Sequence, residues 1–115
     1  MIEGIGIDLI EIGRFAKVGT DFYQQVFTES EIKEIKNNHL LASLKFALKE
    51  AILKALGIGL SQGFFWKKVE IRGEDNKLDE VFKGKENKIG IHTGTGRSKK
   101  YAWAVAIIEN KQEVY

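Results

Sequence analysis

Cysteine and proline are both absent from this 115-residue chain, and it has only one methionine and two histidines. Without cysteine there is no disulfide, no thiolate metal site and no cysteine nucleophile. That fits a reducing compartment, and a cytoplasmic location is the expectation. Long apolar runs are missing too: none approaches the ~20 residues that a membrane-spanning helix needs. The first residues show no basic segment followed by an apolar stretch, so no signal peptide is expected. Neither sign of charge dominates. Eighteen basic against sixteen acidic residues leave a net +2, too weak to argue for nucleic-acid binding. His39 and His92 stand alone, without metal-ligand spacing.

What is present reads as one domain over residues 1–115, of a size that buries roughly two-thirds of its unfolded surface and has no room for a second core. Residues 2–8 alternate with period two: Ile5, Ile7 and Leu9 on one face, Gly4, Gly6 and Asp8 on the other. Bare glycines on one face leave room for something to approach the backbone. Residues 10–18 suggest a short helix. Thr28 followed by Glu31 is a capping-box signature for a helix to about residue 37. The longest helix is expected over 40–56, with Leu41, Leu44, Leu48, Ile52 and Ala55 on one stripe and Gly57 as its left-handed stop. Residues 68–72, 78–82, 88–93 and 101–109 read as strands separated by polar, glycine-containing turns. The last is almost continuously apolar, which predicts burial of both its faces. Helices followed by strands give an α+β class.

Several residues attract chemical attention, each with a plainer alternative. Asp8 closes a strand that looks buried, where a charge must be paired or bind a metal; it could equally cap the helix expected from residue 10. Glu50 has Lys54 at i+4, and a surface ion pair is the plain reading. Lys45 interrupts the apolar stripe of the long helix. It either snorkels past the core edge or faces a phosphate or a second subunit. The segment 94–100 (Gly-Thr-Gly-Arg-Ser-Lys-Lys) looks phosphate-friendly but lacks P-loop spacing, and a basic turn is its alternative. From Lys83 to Lys100 six basic residues face only Glu86. That patch suits an anionic ligand or acidic partner, or is simply a solvated pair of hairpin turns.

Taken together the motifs become specific. The opening Gly4-Ile5-Gly6-Ile7-Asp8-Leu9-Ile10-Glu11-Ile12-Gly13-Arg14-Phe15 resembles that of the holo-acyl-carrier-protein synthases, the small phosphopantetheinyl transferases of bacteria. Phe27-Thr28-Glu29-Ser30-Glu31 is similar to their Leu-Thr-x-x-Glu element. Lys45-Phe46-Ala47-Leu48-Lys49-Glu50-Ala51, continued by Lys54-Ala55-Leu56-Gly57-Ile58-Gly59, resembles their Arg-Phe-Ala-x-Lys-Glu-Ala signature. There are departures. Lys45 stands where an arginine is usual and lacks its bidentate fork. Gly94 and Arg97 stand where a Ser-x-x-His pair is common, and the proline-containing turn before the third strand is missing.

The resemblance implies a phosphopantetheinyl transferase fold: a small antiparallel sheet packed with helices, one long helix carrying the signature. It also implies transfer of the 4′-phosphopantetheine arm of coenzyme A to a serine of apo-acyl carrier protein, in support of fatty acid biosynthesis. The partner then supplies the nucleophile, and the enzyme contributes positioning and charge neutralisation. By the same resemblance Asp8 and Glu50 are ligands of Mg²⁺ and, with Lys54, the catalytic set. Lys45, Lys49, Lys54, Gly57, Gly59 and Arg97 are expected around coenzyme A. Arg14 and Lys17 are expected to dock the acidic carrier protein, and a homotrimer with coenzyme A between subunits is expected. The alternative from another class is a non-catalytic coenzyme A or nucleotide-binding module, which would not require both carboxylates. An RNA- or protein-interaction domain would instead line the basic patch with exposed aromatics.

Overall fold

The glycine-spaced opening forms β1 (Ile2–Glu11), which runs on past Asp8. Its continuation is a 3-10 helix (Ile12–Ala16), so the helix expected from residue 10 starts later and is of another kind. The computed structural model describes residues 1–57, 66–74, 78–82 and 89–111. Among the described residues three α-helices follow: α1 (Thr20–Val26), which the sequence pattern did not announce, α2 (Glu29–Ile35) and α3 (His39–Ala55). Then come β2 (Val69–Arg72), β3 (Asp79–Phe82), β4 (Ile89–Arg97) and β5 (Tyr101–Asn110). The α+β architecture is as expected, and the described residues form two antiparallel sheets, β1-β5-β4 and β2-β3. Among the described residues, no helix is long and apolar enough to cross a membrane.

The helix ends obey local chemistry. Thr28 and Glu31 form the expected capping box: Thr28 Oγ1 accepts the Glu31 N–H and Glu31 Oε1 accepts the Thr28 N–H. At α3, Asn38 Oδ1 accepts the Leu41 N–H at 3.0 Å. Gly57 follows α3 with φ +77°, the left-handed conformation that glycine adopts without steric cost.

What approaches the bare glycine face of β1 is α3. A Cβ on Gly4 would lie 1.8 Å from the Ala55 carbonyl oxygen, and one on Gly6 would lie 1.9 Å from that of Ala51. Ala102, Ala104 and Ala106 of β5 are buried on the same side. Small residues on both layers thus seat the helix almost on the sheet backbone. Beside it, Phe15, Phe22, Tyr23, Phe27 and Phe46 pack in T-shaped and tilted contacts and tie the 3-10 helix and α1 to α3.

The other sheet face departs from expectation. Ile5, Ile7 and Leu9 are 60%, 65% and 62% exposed, and Trp103 of β5 is 40% exposed. Leu9 lies opposite Trp103 and Ile7 opposite Val105, so these residues form one apolar surface. Only one face of β5 is therefore buried within the chain. The segment 94–97 belongs to β4, and the turn is confined to residues 98–100, where the Ser98 N–H donates to the Tyr101 carbonyl at 2.8 Å.

Candidate active site

The close seating of α3 on β1 brings Asp8 and Glu50 into one neighbourhood. Asp8 emerges from the glycine face of β1, opposite Ala104 of β5. It caps no helix: the residue before the 3-10 helix is Glu11, which makes no side-chain cap. Instead, Lys54 Nζ donates to Asp8 Oδ1 at 2.9 Å and to the Ile7 carbonyl at 3.1 Å. Lys54 therefore pairs with Asp8 rather than with Glu50, against the plain i+4 reading.

Glu50 is buried, 4% exposed, not a surface residue. Burial pushes its carboxyl above the usual carboxylate range, and the negative charge of Asp8 pushes the same way. Two opposing influences hold it down: a hydrogen bond from the Trp66 indole and the Lys54 charge. Two carboxylates that repel one another beside a partly exposed ammonium make a site that gains from a cation. Among the described residues no group of three or more histidine, cysteine or acidic side chains is placed to hold a metal. The donor set is two hard oxygen ligands. Mg²⁺ suits it, because that ion commonly takes one or two carboxylates and completes its shell with phosphate oxygens and water.

The structure corrects the expectation for Lys45 and Lys49. Both are fully buried, and their ammonium groups bond to α2, to β2 and to Trp66 rather than lying open to a ligand. Lys49 Nζ donates to Glu31 Oε1 at 2.7 Å, to the Val69 carbonyl at 2.7 Å and to the Trp66 carbonyl at 2.9 Å. An ammonium has three N–H groups, and all are spent. Burial pulls the Lys49 ammonium below its ordinary pKa, and Glu31 partly restores it. Lys45 Nζ donates to Glu34 Oε1 and to the Ile71 carbonyl, each at 2.7 Å. Lys45 thus neither snorkels to solvent nor faces a second subunit; it crosses to β2.

The remaining expected residues are more open. Arg97 ends β4 opposite Ala102, on the same sheet face as Asp8, and is exposed. Among the described residues, Gly57 has no atom within 4 Å of where a Cβ would sit. Gly59 lies outside the described residues, as do Lys83, Lys85 and Lys88 of the basic patch. Arg14 and Lys17 are exposed at the 3-10 helix. Beside them is a cleft of about 400 Å³ lined by Phe15, Val18, Tyr23, Ile32 and Lys36 among others. Trp66 is the site residue that sequence reasoning missed. Its one signal, an aromatic at the end of a Phe-Phe-Trp run, reads as ordinary core.

Residues 4–106 match the family model described as the 4′-phosphopantetheinyl transferase superfamily. The chain is 32% identical over 118 residues to the holo-[acyl-carrier-protein] synthase of Bacillus subtilis, covering 95% of this chain and 97% of that one. It is 36% identical over 117 residues to the corresponding synthase of Chlamydia trachomatis, covering 92% and 98%. Among solved structures, the holo-(acyl-carrier-protein) synthase of Bacillus anthracis in complex with CoA (3′,5′-ADP) superposes with a TM-score of 0.79. It shares 30% identity, and the match covers 96% of this chain and 99% of that one.

Proposed function

The chain belongs to the 4′-phosphopantetheinyl transferase superfamily, among the holo-[acyl-carrier-protein] synthases, and we propose that it performs their reaction on Asp8, Glu50 and Lys54. It transfers the 4′-phosphopantetheine group of coenzyme A to acyl carrier protein, the acceptor being a serine and the by-product adenosine 3′,5′-bisphosphate. The observation that carries the assignment of residues is the convergence of Asp8 and Glu50 beside Lys54, made possible by the glycines under α3. The direct test is incubation with coenzyme A, Mg²⁺ and an apo-carrier protein, followed by intact mass measurement. A carrier protein that gains no phosphopantetheine would refute the reading.

Asp8 and Glu50 would hold Mg²⁺, which when bound supplies charge neutralisation at the pyrophosphate of coenzyme A. Lys54 sits beside them with its side chain 39% exposed, so its ammonium can reach a phosphate oxygen while it remains near Asp8. Arg97 is suited to a second phosphate contact, and Gly57, open at its Cβ position, to close approach by the ligand; Gly59, by sequence alone, is proposed to do the same. The chain's own work is to bind and orient the pyrophosphate and to stabilise charge on the leaving phosphate. A cytoplasmic location accompanies this reading.

Arg14 and Lys17, exposed at the 3-10 helix, serve carrier-protein docking. Arg14→Ala is expected to lower the association rate with carrier protein and flatten its salt dependence, as loss of a rim charge does. Affinity for coenzyme A should stay near wild type. Equal losses toward both substrates in steady-state kinetics would refute the docking role.

The working unit in this reading is a homotrimer with coenzyme A between neighbouring subunits. Support comes from the apolar face of Ile5, Ile7, Leu9 and Trp103, which the chain itself leaves uncovered. Closed cyclic association would bury such a face. Lys45, expected to lend support from the stripe of α3, lends none. Light scattering should give about three times the chain mass; the monomer mass of 13.0 kDa with full activity would rule the trimer out.

A further inference from the structure

The two buried lysines of the signature perform a task other than binding substrate. β2 presents one edge toward the helices, and that edge is closed by side chains. Glu31 Oε2 accepts the Ile71 N–H at 2.6 Å and Glu34 Oε2 accepts the Gly73 N–H at 3.0 Å. Lys49 and Lys45 donate to the carbonyls of Val69 and Ile71, each at 2.7 Å. Two glutamates of α2 and two lysines of α3 thus supply the acceptors and donors that a neighbouring strand would have supplied. Lys49 extends this clamp to the Trp66 carbonyl at 2.9 Å. The Trp66 ring packs against Phe46, centroid to centroid 6.2 Å. Held at both its backbone and its ring, Trp66 directs its indole N–H at Glu50 Oε1. Among the described residues this is the hydrogen bond that the Glu50 side chain receives, and it leaves Oε2 free.

We propose that Trp66, anchored by the buried Lys49–Glu31 pair, is a positioning residue that sets the orientation of the Glu50 carboxylate toward the divalent cation. The proposal rests on the reading of Glu50 as a metal ligand. Carboxylate ligands are commonly held by an outer hydrogen-bond partner, and loss of that partner typically costs 10–100-fold in metal affinity. An indole N–H is a donor only and cannot compete for the cation.

The test is Trp66→Phe, which keeps an aromatic ring against Phe46 and removes the N–H. Mn²⁺ binding to the coenzyme A complex is measured by calorimetry, alongside the Mg²⁺ dependence of transfer and the melting temperature. Mn²⁺ affinity should fall ~10–100-fold, with kcat largely recovered at saturating Mg²⁺ and the melting temperature little changed. An affinity within twofold of wild type overturns the proposal. The Glu31→Gln/Lys49→Met double variant removes both buried charges at similar volume, which a fold often tolerates. It should reproduce the loss of metal affinity with KM for coenzyme A unchanged. A raised KM with unaltered Mn²⁺ affinity would make Lys49 a substrate ligand and overturn the proposal; if this variant does not fold, Trp66→Phe decides alone. Glu50→Gln separates the two levels: if it binds Mn²⁺ as wild type does, the ligand reading itself falls.

Discussion

Glu50→Ala is expected to abolish phosphopantetheine transfer while leaving the protein folded, and Asp8→Ala to do the same. Each removes one of two protein ligands of the proposed cation, so the loss should exceed the ~10–100-fold typical of an outer-shell partner. The folded state should survive both changes. Truncating Glu50 leaves the Trp66 N–H without its acceptor, a cost of about 1–3 kcal/mol. Against that, it relieves the burial of a carboxylate whose pKa is already raised. Truncating Asp8 frees the partly exposed Lys54 from an ion pair, worth about 0–1 kcal/mol at such a surface. Steady-state transfer assays at saturating Mg²⁺, paired with thermal melts, check this. Glu50→Ala activity within threefold of wild type would sink the assignment. A pH dependence follows from the same geometry. Glu50 takes up its proton above the usual carboxylate range, so metal binding by wild type should weaken, as pH falls, while ordinary carboxylates are still charged.

Gly6→Ala should damage the fold itself. The added Cβ would lie 1.9 Å from the Ala51 carbonyl oxygen and 2.8 Å from the Ala55 backbone nitrogen. Both are backbone atoms of α3, so no side-chain rotation relieves the clash; the helix must lift from the sheet. Overpacking typically costs ~1–3 kcal/mol and occasionally more, and displacement of a whole helix belongs at the upper end or beyond. Any molecules that do fold should transfer poorly, because lifting α3 moves Glu50 away from Asp8. Gly13→Ala is the control. Its nearest neighbour would be a Glu11 carboxylate oxygen at 3.6 Å, and at such a compatible position alanine is neutral or stabilises by ~0.4–1 kcal/mol. Urea denaturation at one fixed protein concentration compares them. Stability of Gly6→Ala within 1 kcal/mol of wild type would show that the glycines are not there to seat the helix.

Features that depend on residues a few positions apart were legible in the sequence. The Thr28–Glu31 capping box, the left-handed stop at Gly57, the period-two alternation of β1 and the long helix all appear where residue pattern placed them. The pairing of Asp8 with Glu50 was suggested by the family resemblance alone; read by its neighbours, Glu50 was a surface residue paired with Lys54, whereas it is buried and Lys54 bonds to Asp8. α1 escaped because Gly19, which precedes it, makes no side-chain cap, and the helix is only seven residues long. The start of the helix near residue 10 was misplaced because the β1–β5 pairing extends the strand through Glu11.

The directions of Lys45 and Lys49, the burial of Glu50, the hydrogen bond from Trp66 to it and the uncovered face of β5 were decided by tertiary structure. Lys49 meets Trp66 across 17 positions and Glu31 meets Ile71 across 40, and no local rule spans such distances. A lysine beside a glutamate in a helix reads the same whether its ammonium faces solvent, a phosphate or a buried strand edge. What settles the matter is the desolvation that follows when β2 packs against α3, for a buried ammonium must find acceptors and the carbonyls of β2 supply them. Likewise an apolar strand states only that it avoids water. Which of its faces α3 covers was decided by where glycine and alanine allow the helix to come close.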